Sequence, residues 1–159
     1  MLLRAPTLQD AFETIGFAKV STSAPDARRI GYLRAEDNVT MNRDRLLEDA
    51  KRDVLAMAQA GYPPPAPRDR IPVGGPDTYA LLGLGVHLAL RAGRISEHDA
   101  LIGRLIARVL AGGQVPHRTT VTEQQLLDLE REAFLKLCGE RKTLERMSHT
   151  LKTGKTLRN

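Results

Sequence analysis

The sequence predicts an all-α fold of about six to seven helices in an irregular bundle, with a proline-rich spacer near the middle. Three observations carry that expectation. Apolar residues recur at steps of three and four through most of the 159 residues, the spacing of helices with one buried face. Aromatic residues make up only 4% and Trp is absent, so a core must be assembled from Leu, Ile, Val, Ala and Met, which suits helix-on-helix packing better than a β-sandwich. Helix punctuation is also frequent, with Ser23, Ser96 and Thr122 at starts and Gly31, Gly61 and Gly154 at ends. An apolar content of 42% at this length is enough for one ordinary domain with a real core.

In chain order, residues 1–6 are expected to be disordered. Leu8 to Val20 reads as a first helix, with Ala11, Phe12, Ile15 and Ala18 at helical spacing. Ser23 to Asp26 has the shape of a capping box, tolerating Pro25 in the first turn, and opens a short helix that ends at Gly31. Tyr32 to Thr40 is polar and irregular. Asn42 to Ala60 is the clearest helix of this half, placing Leu47, Ala50, Val54 and Met57 on one stripe before Gly61. Tyr62 to Pro67 must be extended, because successive prolines fix φ and remove donors, and it reads as a stiff spacer.

Asp77 to Arg91 is apolar nearly all round, since His87 is its only strongly polar side chain between Tyr79 and Leu90; it should be buried on most sides or form a contact surface. Gly83 and Gly85 inside it are most easily accepted where another backbone comes close. Ser96 to Asp99 is a second capping box, opening a helix to about Ala111 that buries Leu101, Ile102, Leu105, Ile106 and Val109. Arg104 and Arg108 share its outer face at i,i+4, either as a solvated face or as an anion site. Gln114 to Thr120 reads as a loop. Thr122 caps a helix with the stripe Leu126, Leu129, Ala133, Phe134 and Leu137, supported by the pairs Asp128–Arg131 and Glu132–Lys136. After a break at Gly139 a last helix carries Leu144, Met147 and Leu151 and ends at Gly154.

Several function classes are disfavoured. One cysteine, Cys138, forms no internal disulfide, and Leu2-Leu3 is too short for a secretory leader, which together suggest a cytoplasmic protein. No apolar run approaches the roughly 18 residues of a membrane span. The four histidines, His87, His98, His117 and His149, lie in four different elements with no i,i+4 partner, so no metal site is expected. Gly74-Gly75 follows no strand and lacks the dinucleotide fingerprint. Glu97, Asp99 and Glu130 are better explained by capping and surface pairing than by acid–base work, and no catalytic residue is assigned. The net charge of +5 is concentrated at the end: from Gly139 onward, Arg141, Lys142, Arg146, Lys152, Lys155 and Arg158 face only Glu140 and Glu145, a balance of +4. Such a cluster attracts polyanions.

The run Asp-Leu-Glu-Arg-Glu, Phe-Leu, Gly-Glu, Lys-Thr, Glu-Arg, His, Leu-Lys, Gly-Lys and Leu-Arg-Asn, from Asp128 to Asn159, resembles the extreme C-terminus of the large bacterial multifunctional enzymes of fatty-acid β-oxidation. These chains fuse 3-hydroxyacyl-CoA dehydrogenase to a crotonase-like enoyl-CoA hydratase. Ala18 to Ala24, Met41 to Leu46, Ala60 to Pro65 and Ile95 to Asp99 are similar as well, so the resemblance covers almost the whole chain. Thr156 departs from it by standing where the family usually has proline, and Pro25-Asp26 by replacing a more acidic, helix-friendly pair.

The resemblance implies that 1–61 corresponds to the end of a crotonase-like domain, 62–75 to a spacer, and 76–159 to a C-terminal helical region with a basic tail. The oxyanion donors and glutamates of the hydratase, and the Rossmann fingerprint and histidine pair of the dehydrogenase, have no match here. The chain is therefore expected to be a C-terminal portion serving packing and oligomerisation, cut out as a fragment or encoded by a truncated or split gene, and inert alone. The resemblance also implies upstream dehydrogenase and hydratase domains or subunits as partners, a homo-oligomeric assembly, acyl-CoA as ligand, and no cofactor in this chain, with NAD needed only by the parent enzyme. By position it makes Lys152, Lys155 and Arg158 the candidate CoA-binding residues. The alternative from another class is a free-standing helical module that binds a polyanion such as nucleic acid through the tail.

Overall fold

The computed structural model describes residues 7–159, so the expectation for 1–6 lies outside the described residues. Seven α-helices and one short antiparallel ribbon are present, and the fold is essentially all-α as predicted. The described chain forms two compact units, one of residues 20–66 and one of 7–19 together with 67–159.

The first unit holds α2 (Ala24–Ile30) and α3 (Leu46–Gln59), with a 3-10 turn over Arg43–Arg45. Ser23 Oγ accepts from the Asp26 amide at 3.2 Å, but the return half of the expected box shifts by one residue: Asp26 Oδ2 takes the Thr22 amide at 3.1 Å. Gly31 closes α2 in the left-handed conformation at φ 89. The helix expected from Asn42 instead begins with the 3-10 turn, because the Asn42 side chain caps the Asp44 amide two residues on rather than three. The stripe of Leu47, Ala50, Val54 and Met57 is exposed. What holds α3 in its unit is its polar side, where Thr40 Oγ1 donates to Asp49 at 3.1 Å and Asn38 Nδ2 to Asp53 at 2.8 Å.

In the second unit α1 (Leu8–Gly16) starts at a capping box of Thr7 and Asp10. It stops before the expected Val20. The Ala18 amide donates to Ile15 O at 3.0 Å and the Lys19 amide to Thr14 O at 2.9 Å, satisfying the last carbonyls with Ala18 at φ 47. Next come β1 (Ile71–Val73), α4 (Gly75–Arg91), α5 (Glu97–Leu110), β2 (Thr119–Val121), α6 (Glu123–Cys138) and α7 (Arg141–Thr153). The strands correct the reading of 114–120 as loop alone: Ile71 pairs with Val121 and Val73 with Thr119, burying Val73 and Val121. Beside them Gly75, at φ 60, donates to Ala111 O at 3.1 Å, and a Cβ there would stand 2.8 Å from Pro116 O.

Helix α5 is central, contacting α1, α4 and α6. Of the row of large residues expected from the sequence only Leu105 is fully on its tightest face. Ala100, Gly103, Ala107 and Ala111 are buried, whereas Leu101, Ile102, Ile106 and Val109 are half-buried. The reason is close approach: a Cβ on Gly103 would lie 3.0 Å from Val86 Cγ2 on α4. Helix α6 buries Ala133 and half-buries Leu126, Leu129 and Leu137, but Phe134 is exposed. On α7 the inward residues are Thr143, Arg146 and Met147, while Leu144 and Leu151 face water, the latter 88% exposed. Of the predicted apolar stripe of α7 only Met147 faces inward, beside the polar Thr143 and Arg146.

No large side chain among the described residues is fully buried, and the chain exposes 12436 Å². On α4 the large apolar side chains Leu81, Leu84 and Leu88 are 66%, 54% and 58% exposed. That corrects the expectation that α4 is buried on most sides and leaves its other reading, a contact surface.

Candidate functional site

Three features of the second unit bear on function: a polar junction under α7, two apolar grooves, and the cations of the tail. The junction begins at the first turn of α5. Ser96 Oγ accepts from the Asp99 amide at 3.2 Å, and the Ser96 amide donates to Asp99 Oδ2 at 3.0 Å, the capping box read from the sequence. The other carboxylate oxygen, Oδ1, accepts from Arg146 Nη1 of α7 at 2.7 Å. Next to it, His98 Nε2 and Thr143 Oγ1, both buried, share a hydrogen bond of 2.9 Å. Two adjacent residues of α5 therefore seat two residues of α7 one turn apart.

The electrostatics follow from that packing. Burial pushes the His98 pKa below its usual value, and the charge of Arg146 pushes the same way, with Glu140 and Asp99 in partial opposition. Burial raises Asp99, yet the hydrogen bonds from Ser96 and Arg146 outweigh it, and its carboxyl lies below the usual carboxylate range. A neutral histidine and an ionised aspartate result, held by hydrogen bonds rather than poised for proton transfer.

The first groove, about 650 Å³, runs between α5 and α6 and is floored by Ile102, Leu105, Ile106, Val109 and Phe134, with Ile15 of α1 at its side. The second, about 430 Å³, lies between α1 and α4 and is lined by Phe12, Phe17, Leu81, Leu84 and Leu88, with Arg94 at its rim. Both are open and strongly apolar. At Gly83 and Gly85 an added Cβ would meet nothing within 4 Å, so the close backbone approach expected at these positions is absent among the described residues.

Lys152, Lys155 and Arg158 are exposed, and none of them lines either groove. The tail that carries two of them folds back on α7: Thr150 Oγ1 donates to Lys155 O at 3.2 Å, and Asn159 Nδ2 donates to Glu145 Oε2 at 2.9 Å and to Lys142 O at 3.3 Å. Two cations counted in the tail's +4 are engaged locally, Arg146 as above and Arg141 with Glu145 at 3.0 Å. Arg108 is engaged too, as a fork on Glu132 at 2.9 and 3.2 Å across α5 and α6, which places Glu132 there instead of on Lys136 and pairs one of the two arginines of that face. Asp128 and Arg131 pair as expected. Of the other histidines, His117 pairs with Asp77 at 2.9 Å, His87 is exposed, and His149 is half-buried. Among the described residues no three His, Cys, Asp or Glu side chains gather to hold a metal ion, and no helix is long and apolar enough to cross a membrane. The residue that sequence reasoning missed as a structural centre is Arg146, whose partners lie 47 residues before it and 13 after it; only its i,i+3 and i,i+4 neighbours are legible locally.

These features define an essentially all-α polypeptide with open apolar grooves and a cationic, folded-back end. No family model matches the chain, and no solved structure matches it. It is similar, at 47% identity over 148 residues, to a probable 3-hydroxyacyl-CoA dehydrogenase of Bacillus subtilis (strain 168). The match takes in 93% of this chain but 19% of the relative, so the chain spans about a fifth of that protein's length.

Proposed function

We propose that this chain is the C-terminal helical portion of a 3-hydroxyacyl-CoA dehydrogenase fused to a crotonase-like enoyl-CoA hydratase of fatty-acid β-oxidation, and that it serves assembly rather than chemistry. The observation that carries the reading is the 47% identity along 93% of the chain to a protein about five times longer. The exposed apolar surface supports it, because grooves of this kind are covered when the missing domains or another subunit pack on them. Alone the chain is inert. In the assembled enzyme Lys152, Lys155 and Arg158 contact the phosphates of acyl-CoA, while NAD binds elsewhere, on the dehydrogenase domains.

The test is complementation. The Bacillus subtilis relative, expressed without the segment that matches this chain, is combined with the chain supplied separately. Co-elution, with NADH formation from a 3-hydroxyacyl-CoA that neither part supports alone, is the expected result. A chain that stays apart and leaves activity unchanged overturns the assembly role. A calorimetric CoA titration of the chain, with the Lys152→Ala/Lys155→Ala double variant as control, tests the contact to the phosphates. A steep salt dependence with nucleic acid and no response to CoA is the outcome that favours the polyanion-binding alternative.

A further inference from the structure

We propose that Arg146 is the positioning residue of the cationic tail: by joining Asp99 to Asn159 it straps residues 154–159 back along α7 and so sets where Lys155 and Arg158 stand. The ligand of those cations rests on the CoA contact proposed above; the strap itself rests on geometry alone. Arg146 spends its whole guanidinium on the junction. Nη1 donates to Asp99 Oδ1 at 2.7 Å, Nε to Asn159 Oδ1 at 2.8 Å, and Nη2 to the Asn159 main-chain oxygen at 3.4 Å. The fixed fork of an arginine can serve two directions at once in this way, which a lysine ammonium cannot reproduce with the same geometry.

The strap is a short segment. Gly154 turns the chain at φ 67 at the end of α7, and the Asn159 amide group is held between Lys142 O and Glu145 Oε2. From Gly154 back to Arg146 is eight helical residues, roughly 12 Å at the helical rise, and to Lys142 roughly 18 Å. Five residues of extended chain reach about 16 to 18 Å. The return is therefore short, and it is held at Lys155 by Thr150 and at Asn159 by Arg146, Lys142 and Glu145. It also separates the three candidate cations. Lys152 and Lys155 remain at the C-terminal end of α7, whereas Arg158 adjoins Asn159, which is held at Lys142 and Glu145 in the N-terminal half. Such a row suits a ligand with more than one phosphate group better than a single small anion.

The His98–Thr143 hydrogen bond does not involve Arg146 and continues to seat α7 when the strap is cut. That separation makes the test clean. Nitrogen-15 relaxation and CoA calorimetry are measured on the full chain as wild type, Arg146→Ala and Asn159→Ala. In the wild type the amides of 157–159 are as ordered as those of α7. In Asn159→Ala, which removes the bonds to Arg146 Nε, Lys142 and Glu145 together, their order parameters fall below about 0.6, and in Arg146→Ala, which leaves the bonds to Lys142 and Glu145, they fall part of the way. CoA binding weakens by about fivefold, the loss expected when exposed cations are no longer held in place. Asn159→Ala keeps the Asp99 ion pair and the wild-type melting temperature, which sets positioning apart from stability. A wild-type tail that is already mobile, or CoA affinity unchanged in both variants although the tail is released, overturns the proposal. An ordered tail that Asn159→Ala releases, in a wild type that binds no CoA, supports the strap and refutes the CoA contact alone.

Discussion

Replacing Gly83 or Gly85 of α4 with alanine tests the reading of that helix as a free face. Interior helical glycine costs about 0.5 to 1 kcal/mol relative to alanine, because the unfolded chain loses more freedom and no methyl is gained for packing. Against that gain stands any steric penalty, and the structure supplies none: a Cβ at either position meets nothing within 4 Å. Each substitution should therefore stabilise the second unit by about 0.5 to 1 kcal/mol, and a 1 kcal/mol gain raises the melting temperature by roughly 2 to 4 °C in a chain of this length. Circular dichroism melting and urea titration at low protein concentration read the effect. Gly112→Ala is the internal contrast, since its φ of 87 and a Cβ position 2.7 Å from Val73 Cγ2 predict destabilisation. If Gly83→Ala lowers the melting temperature of a chain shown to be monomeric, another segment of the same molecule covers this face and the exposed reading of α4 is wrong.

Three further outcomes follow from particular contacts. Leu105→Ala removes one of the few buried large side chains and should cost about 2 to 5 kcal/mol, whereas Leu151→Ala, on a residue 88% exposed, should change stability by less than about 0.5 kcal/mol; equal losses would mean that α7 packs on its leucine side. Ala18→Gly relieves the left-handed strain at φ 47 and should stabilise by about 1 kcal/mol, which thermal melting would detect and a neutral or negative shift would refute. For pH, the folded His98 pKa lies below that of the unfolded chain, so the unfolded state takes the proton first. The contribution is complete above the ordinary histidine pKa and is lost as pH falls through the folded one. Asp99, also lowered, adds stability that persists above the ordinary carboxylate pKa and disappears only as pH falls through its own folded value. The melting temperature should decline from about pH 7.5 to pH 5, and His98→Gln, which keeps a hydrogen-bonding group but does not titrate, should flatten that decline; an unchanged slope would show that His98 is not the titrating group.

Local chemistry was legible in the sequence wherever a residue is answered within four positions. The box at Ser96, the cap at Thr122, the left-handed glycines 31 and 154 and the Asp128–Arg131 pair are all of this kind, and so is the all-α class itself. The cations of the candidate site were readable as composition, but not their placement. Tertiary structure decided what depends on partners far along the chain. The three-residue strands Ile71–Val73 and Thr119–Val121 are too short to announce themselves and exist because each supplies the other's hydrogen bonds across nearly fifty residues. Which face of α5 packs tightly was decided by how near α4 can come, a distance that favours Gly103 and alanines over the leucines and isoleucines that periodicity selects. Arg146 likewise reads locally as one more base on a basic helix, and becomes the pin of the tail only because folding brings Asp99 and Asn159 to either side of its guanidinium. Periodicity reports which residues share a face; whether that face meets a helix, a groove or water is set by non-local contacts, and for much of α3 and α4 the chain by itself leaves that face to water.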